Sequence, residues 1–254
     1  MKLSDITHGV VERPARIILC GVEKIGKSTF ASQSPDPIFI PVKMEEGIDD
    51  LDVARFPVAE SFDQVVEAIG SLCEEEHKFK TVIIDSLSTL EPLVWEKVCK
   101  DHQATSIEKV LDGFGKGYVE AVKCWRDVMA GIDWLRENKG MGCILISHVV
   151  VKTFNNPDGG NYDCYEPDIN KKALSALLRW SDAVLFANSK VFTKIEGKGS
   201  KETKKGVMTK DRVLYTLKHP AHPGGGRGVL GRLPAELDLN YEAWQKAIEA
   251  AKEQ

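Results

Sequence analysis

Long apolar runs are missing from this 254-residue chain. Its hydrophobic stretches are only a few residues each, too short for a helix that crosses a bilayer, so no membrane association is expected. The opening "MKLSDITHGV" lacks the charged and then apolar order of a secretory signal. Cysteine is sparse and dispersed. Cys20, Cys73, Cys99, Cys124, Cys143 and Cys164 include no C-x-x-C pair. That speaks against a disulfide framework or a zinc site and for a reducing cytoplasm. Internal repeats and long Pro- or Gly-rich linkers are lacking too. One domain over residues 1–254 is expected, with a core at about 14–188 and an extension at about 189–254.

A general excess of positive charge is also absent, since the net charge is -4. The balance is uneven along the chain. Residues 1–150 carry 17 Lys+Arg against 25 Asp+Glu, and residues 151–254 carry 17 against 13. Within 190–218 there are nine basic residues and three acidic ones. Such a segment is either a solvated hairpin or a place where a polyanion binds.

What is present is an alternation of strand and helix patterns. "RIILC" (16–20), "PIFIPV" (37–42), "TVIIDS" (81–86), "GCILIS" (142–147) and "DAVLFAN" (182–188) read as strands. Helices are predicted from near Lys27, over 61–75, about 88–103, about 117–137 and from "KALSALLRW". Ser61 and Gln64 form a capping-box pattern. Val66 and Val119 fall among the apolar positions of their helices. A polar loop is expected from 148 to about 171. After 188 the pattern becomes antiparallel strands around "KGSKETKK", then a loop, then a short helix from about Tyr241. The fold class is therefore α/β: a mostly parallel central sheet, helices on both faces and a C-terminal antiparallel hairpin extension.

The stretch "GVEKIGKST", Gly21-Val22-Glu23-Lys24-Ile25-Gly26-Lys27-Ser28-Thr29, follows the first strand and opens the first helix. This is the spacing and the context of a phosphate-binding loop. Its backbone N–H groups cradle phosphates, Lys27 reaches the β- and γ-phosphates, and the Ser28 hydroxyl is placed for Mg²⁺. Lys24 is either a surface residue or an added charge above the phosphates. Asp85 ends a buried strand at the same sheet edge, where open sheets bind ligands. It is a candidate second metal ligand, or alternatively a helix N-cap. Glu45 and Glu46 follow the second strand and are candidates to activate water, or form a solvated acidic turn. His148, past the strand 142–147, is either structural or a γ-phosphate sensor.

The order P-loop, Glu, Asp-Ser and polar residue resembles the RecA-type ATPases. "CGVEKIGKSTFA", "EEGIDDLD", "FKTVIIDSLSTLEPLVW", "GFGKGYV" and "YEPDINKKALSALLRWSDAVLFAN" look like the small core-only RecA-like proteins of bacteriophages. The resemblance covers about residues 14–240. It implies a core without the long terminal domains of full-size recombinases, working in a bacterial host's cytoplasm if phage-encoded. It further implies ATP and Mg²⁺ as cofactors, single-stranded DNA as partner, annealing or strand exchange as activity, and a homo-oligomeric ring or filament. A single-strand-binding protein is a possible further partner.

On this resemblance Glu45 matches the water-activating glutamate, and His148 falls where a glutamine couples the γ-phosphate to a DNA loop. Residues 112–118 and 149–172 match two DNA-contacting loops. Their aromatics Phe114, Tyr118, Phe154, Tyr162 and Tyr165 suit base stacking beside Lys116 and Lys152, although the second loop also carries Asp158, Asp163, Glu166 and Asp168. Lys218 and Arg227 are candidates to reach a neighbouring subunit's ATP, or are plain surface charges. His219 and His222 are too isolated to argue for zinc. Two rivals stand beside the recombination ATPase. One is a nucleotide-gated DNA-binding assembly protein with little hydrolysis; the other is a P-loop small-molecule kinase, which the lack of clustered arginines disfavours.

Overall fold

The computed structural model describes residues 2–157, 159–196 and 203–253, with 191–196 and 203–208 described by backbone alone. Six strands run parallel at its centre. β1 (Arg16–Gly21) pairs with β5 (Gly142–Ser147) on one side and β8 (Ala183–Glu196) on the other. β5 continues to β4 (Thr81–Asp85), β2 (Pro37–Pro41) and the short β3 (Ala54–Arg55). Beyond β8 the sheet turns antiparallel through β9 (Thr203–Tyr215) and β11 (Glu236–Asp238), and β10 (Gly225–Gly226) also pairs with β8. The expected α/β class, with a mostly parallel sheet and antiparallel C-terminal strands, is what the chain adopts.

Strand alternation explains the layers. Ile18, Ile40, Val82, Ile84 and Leu145 point to one face, where α2 (Phe62–Glu74), α3 (Leu87–Asp101), α4 (Lys116–Asn138) and α5 (Lys171–Trp180) pack. Leu19, Phe39, Ile83, Ile146 and Leu185 point to the other, under α1 (Lys27–Ser32) and α6 (Tyr241–Lys252). A strand buried on both faces must be apolar throughout, and these are. At the edge where the parallel strands begin, Arg16 donates to Asp182 through Nη2 at 2.9 Å and to Asp133 through Nη1 at 2.9 Å. Arg136 adds a 3.0 Å contact to Asp182. Burial pushes the Asp182 carboxyl up, but these guanidinium bonds outweigh it and hold the pKa low.

Four local expectations are corrected. Residues 149–167 are not a loop but a hairpin, β6 (Val149–Phe154) against β7 (Tyr162–Pro167). The Asn-Pro and Gly-Gly signals at 155–160 mark only its turn, while exposed pairing satisfies the flanking backbone. β8 extends past 188 to Glu196 because β9 pairs along it. Ser61 Oγ accepts from Gln64 N–H, but the Gln64 side chain turns back to Glu60 N–H, so the box is not reciprocal. Val66 and Val119 are exposed, at 37% and 48%; α4 instead buries Ala121, Trp125, Val128 and Ile132.

Candidate functional site

Gly21 ends β1, and Gly26 caps α1 with a φ of +111°, a left-handed conformation that glycine adopts freely. Gly21 is required for a different reason than phosphate approach. A β-carbon there would lie 2.4 Å from the Ala187 carbonyl oxygen of β8, so only glycine lets the two strands pass. Between them, Val22 is half-buried, Glu23 and Lys24 are exposed, and Ile25 anchors the loop in the core. Among the described residues, the N–H groups of residues 23–26 have no hydrogen-bond acceptor, as an anion cradle requires. Thr29 is exposed on the first turn of α1. The Lys27 ammonium is buried, with 6% exposure, and donates to the Gly21 and Val22 carbonyls at 3.0 and 2.9 Å. Burial lowers its pKa, against the pull of Asp85 and Glu45.

Ser28 Oγ donates to Asp85 Oδ2 at 2.7 Å. The neighbouring Ser86 serves as N-cap of α3, accepting from Thr89 N–H, which leaves the Asp85 carboxylate free of that duty. The Asp85–Ser86 peptide is cis. Burial raises the Asp85 pKa, opposed by the Ser28 bond and reinforced by the Glu45 charge. A buried carboxylate beside a hydroxyl is an oxygen donor pair that a small hard cation would relieve, so these two residues fit Mg²⁺. Gly47 closes this side; a β-carbon there would stand 3.1 Å from Ser28 Oγ.

Glu45 is mostly buried and Glu46 is exposed, so the two adjacent carboxylates have different fates. Glu45 Oε1 accepts from His148 Nε2 at 2.9 Å and from Ser86 Oγ at 2.6 Å. Burial pushes the Glu45 carboxyl up, but these two bonds together with the His148 and Lys27 charges hold it below its ordinary value. It is therefore ionised at neutral pH. Among the described residues Glu45 Oε2 has no partner, and His148 Nδ1 is buried without one. The His148 carbonyl accepts from Asp168 N–H at 2.9 Å, tying the base of the hairpin together.

A family model described as an AAA domain matches residues 13–228. The chain belongs to this AAA-domain family. Among curated proteins no similar sequence is found. Among solved structures, the chain is similar to the RadB recombinase at 12% identity and a TM-score of 0.45, over 91% of this chain and 90% of that one.

The AAA domain does not bring every candidate to the loop. Lys218 and Arg227 line a cleft of about 340 Å³ with Asp182 and Ala183, at the edge where the parallel strands begin. The Arg227 guanidinium donates to the Arg179 carbonyl and lies 3.9 Å from Asp182. Both residues are thus at the edge opposite the P-loop of their own chain. Phe114 is 96% exposed, on a run where residues 111–115 all have positive φ. Tyr118 packs edge-on against Trp95, and Tyr165 stacks near Phe186, so these two rings are engaged inward. Phe154 and Tyr162 pair across the hairpin at 5.2 Å, and Lys152 is 3.4 Å from Glu166. Lys116 donates to the Leu111 carbonyl. His222 stacks on Phe186 and His219, a packing role. Asp158 and Lys201 lie outside the described residues; Lys204 and Lys205 lie on β9.

Sequence reasoning missed three residues here. Ser86 and Gly47 flank motifs that were legible, and a Ser or Gly one position from a named carboxylate was the available signal. Arg212, from β9, lies beside Gly26 with its Nη1 3.1 Å from where a β-carbon would stand. No local signal marked it.

Proposed function

We propose that this AAA domain is a RecA-like ATPase that binds single-stranded DNA and promotes annealing or strand exchange in recombination. Residues 1–254 act as one such unit and assemble as a homo-oligomeric ring or filament. The observation that carries this reading is one connected path. Glu45 is bonded to His148, and His148 directly precedes the strand β6 whose hairpin displays Phe154 and Tyr162. A change at Glu45 on nucleotide binding reaches the aromatic pair through a single hydrogen bond and one strand.

In this reading the loop 21–28 holds ATP, and Lys27 leaves its two carbonyls to meet the β- and γ-phosphates. Ser28 and Asp85 hold Mg²⁺, which when bound neutralises charge on the phosphate oxygens. Glu45 Oε2 takes a proton from water as the water oxygen bonds to the γ-phosphorus. The bond to the bridging oxygen breaks, and ADP leaves with that electron pair. An ionised carboxylate with one oxygen unengaged favours hydrolysis over a protein that only binds ATP. On the DNA side, exposed Phe114 and the Phe154–Tyr162 pair offer stacking faces for unpaired bases. In the proposed assembly Lys218 and Arg227, remote from their own loop, serve a neighbouring subunit's site. A single-strand-binding protein remains part of the proposal as a partner.

The test is phosphate release with Mg-ATP, measured with and without single-stranded oligonucleotide, alongside electron microscopy of the same mixtures. Stimulated release with rings or filaments on DNA is expected. Release indifferent to DNA, from a protein that stays monomeric, would defeat the recombination reading and leave an ATPase of another purpose.

A further inference from the structure

We infer that Arg212 is a nucleotide-binding residue of the same chain, reaching over Gly26 to the inner phosphates of a bound nucleoside di- or triphosphate. The inference rests on the reading of residues 21–28 as a nucleotide site. Arg212 belongs to β9, two strands from β1, yet the antiparallel return of β9 brings it to the P-loop edge. There it pairs with Ser189, two residues beyond the Ala187 that sits opposite Gly21. Its carbonyl accepts from Leu239 N–H at 3.1 Å, so its main chain is held from both sides. A register shift in the β8–β9 ladder follows between Ser189 and Val191, and such irregularities re-aim the neighbouring side chain.

The side chain ends against the open face of Gly26. A β-carbon on Gly26 would lie 3.1 Å from Arg212 Nη1 and 3.8 Å from Leu239 Cδ2. Arg212 is exposed, and among the described residues its guanidinium has no hydrogen-bond or carboxylate partner. By contrast, the half-buried Arg16 and Arg136 are neutralised, both contacting Asp182. An unneutralised guanidinium beside a loop of unpaired N–H groups makes a site for an anion with two acceptor oxygens. The main chain of such a loop faces the α- and β-phosphates, while the lysine takes the β- and γ-phosphates. A cation seated on Gly26 therefore complements Lys27 rather than duplicating it.

The experiment is calorimetric titration of wild type, Arg212→Ala, Arg212→Gln and Arg212→Lys with Mg-ADP and Mg-ATP. Nucleotide-free thermal melts run in parallel. For Arg212→Ala and Arg212→Gln the affinity for both nucleotides should fall by the same factor, about 10- to 100-fold for one charge-assisted contact. Arg212→Lys should recover part of it, and the nucleotide-free melting temperature should stay within a few degrees of wild type. Should Arg212→Ala fail to fold, the glutamine variant, which keeps the length of the stem, carries the comparison. Unchanged affinity in a folded variant overturns the assignment. A loss confined to ATP also overturns it, because it would put Arg212 at the γ-phosphate. Wild type binding neither nucleotide would instead refute the reading of the loop itself.

Discussion

Glu45 Oε1 and His148 Nε2 lie 2.9 Å apart, although 103 residues separate them in the chain. The contact joins the end of β2 to the end of β5 and links the candidate hydrolytic carboxylate to the hairpin that follows. Ser86 completes it from the end of β4. Three strand ends thus meet on one carboxylate oxygen and leave the other for water.

Glu45→Gln keeps the shape and removes the base. Mg-ATP affinity should stay near wild type, and hydrolysis should slow by about 100- to 10,000-fold. Glu46→Gln, at an exposed position, should hydrolyse at close to the wild-type rate. Single-turnover assays on both variants check this. If Glu46→Gln is the slow one, water is activated by the neighbouring carboxylate.

Lys27→Ala removes the charge that meets the β- and γ-phosphates. Turnover should fall about 100-fold or more, the scale seen when one such donor is lost. Because the ammonium is bonded only to its own loop's carbonyls, far-UV circular dichroism should be unchanged. Turnover near wild type would take the loop out of the mechanism.

Binding to labelled single strands should weaken as salt rises, and duplex should bind less well. Phe154→Ala and Tyr162→Ala each remove a stacking face and should cost about 1–3 kcal/mol with little change in salt slope. Replacing Lys201, Lys204 and Lys205 by Ala should flatten that slope instead. Equal affinity for duplex and single strands in every variant would rule out base stacking as the basis of binding.

Glu91 gives a pH dependence of stability. Its carboxylate is 6% exposed, and both oxygens lie 2.9 Å from Asn170 N–H at the start of α5. Burial raises its pKa from 4.5 to about 7; the Asn170 bond opposes this and Asp168 adds to it. The folded state holds this proton more tightly than the unfolded state. The stability it contributes is therefore present below pH 4.5 and is lost as pH rises toward about 7. Glu91→Gln should remove up to about 3 kcal/mol of that slope. Urea denaturation at several pH values between 4 and 8 reads the difference. A variant whose stability tracks wild type at every pH would show that Glu91 titrates normally.

Gly117→Ala tests the packing beneath the Phe114 segment. A β-carbon there would meet the Ile107 carbonyl at 2.0 Å, a backbone atom with little freedom to retreat. The expected cost is about 1–3 kcal/mol, read as a lower melting temperature. An unchanged melt would mean that the α4 entry yields easily.

The sequence by itself determined the strand, loop and helix around 16–32, because glycine, lysine and serine at fixed offsets need only their immediate neighbours. It also placed Asp85 at a strand end and Glu45 in the segment that follows a strand, since a parallel strand buried on both faces must be apolar until it leaves the sheet. Tertiary structure decided the rest. The hairpin at 149–167 depends on pairing between two weakly apolar strands, which a polar composition conceals. Gly21 is glycine because β8 passes it, a contact spanning 166 residues. The direction of β9 separates the basic candidates. Running antiparallel to β8, it leaves Arg212 at the P-loop edge and carries Lys218 to the far edge. Residue type and local spacing hold no record of strand order. Which cation lies beside the P-loop was therefore settled only when the sheet assembled.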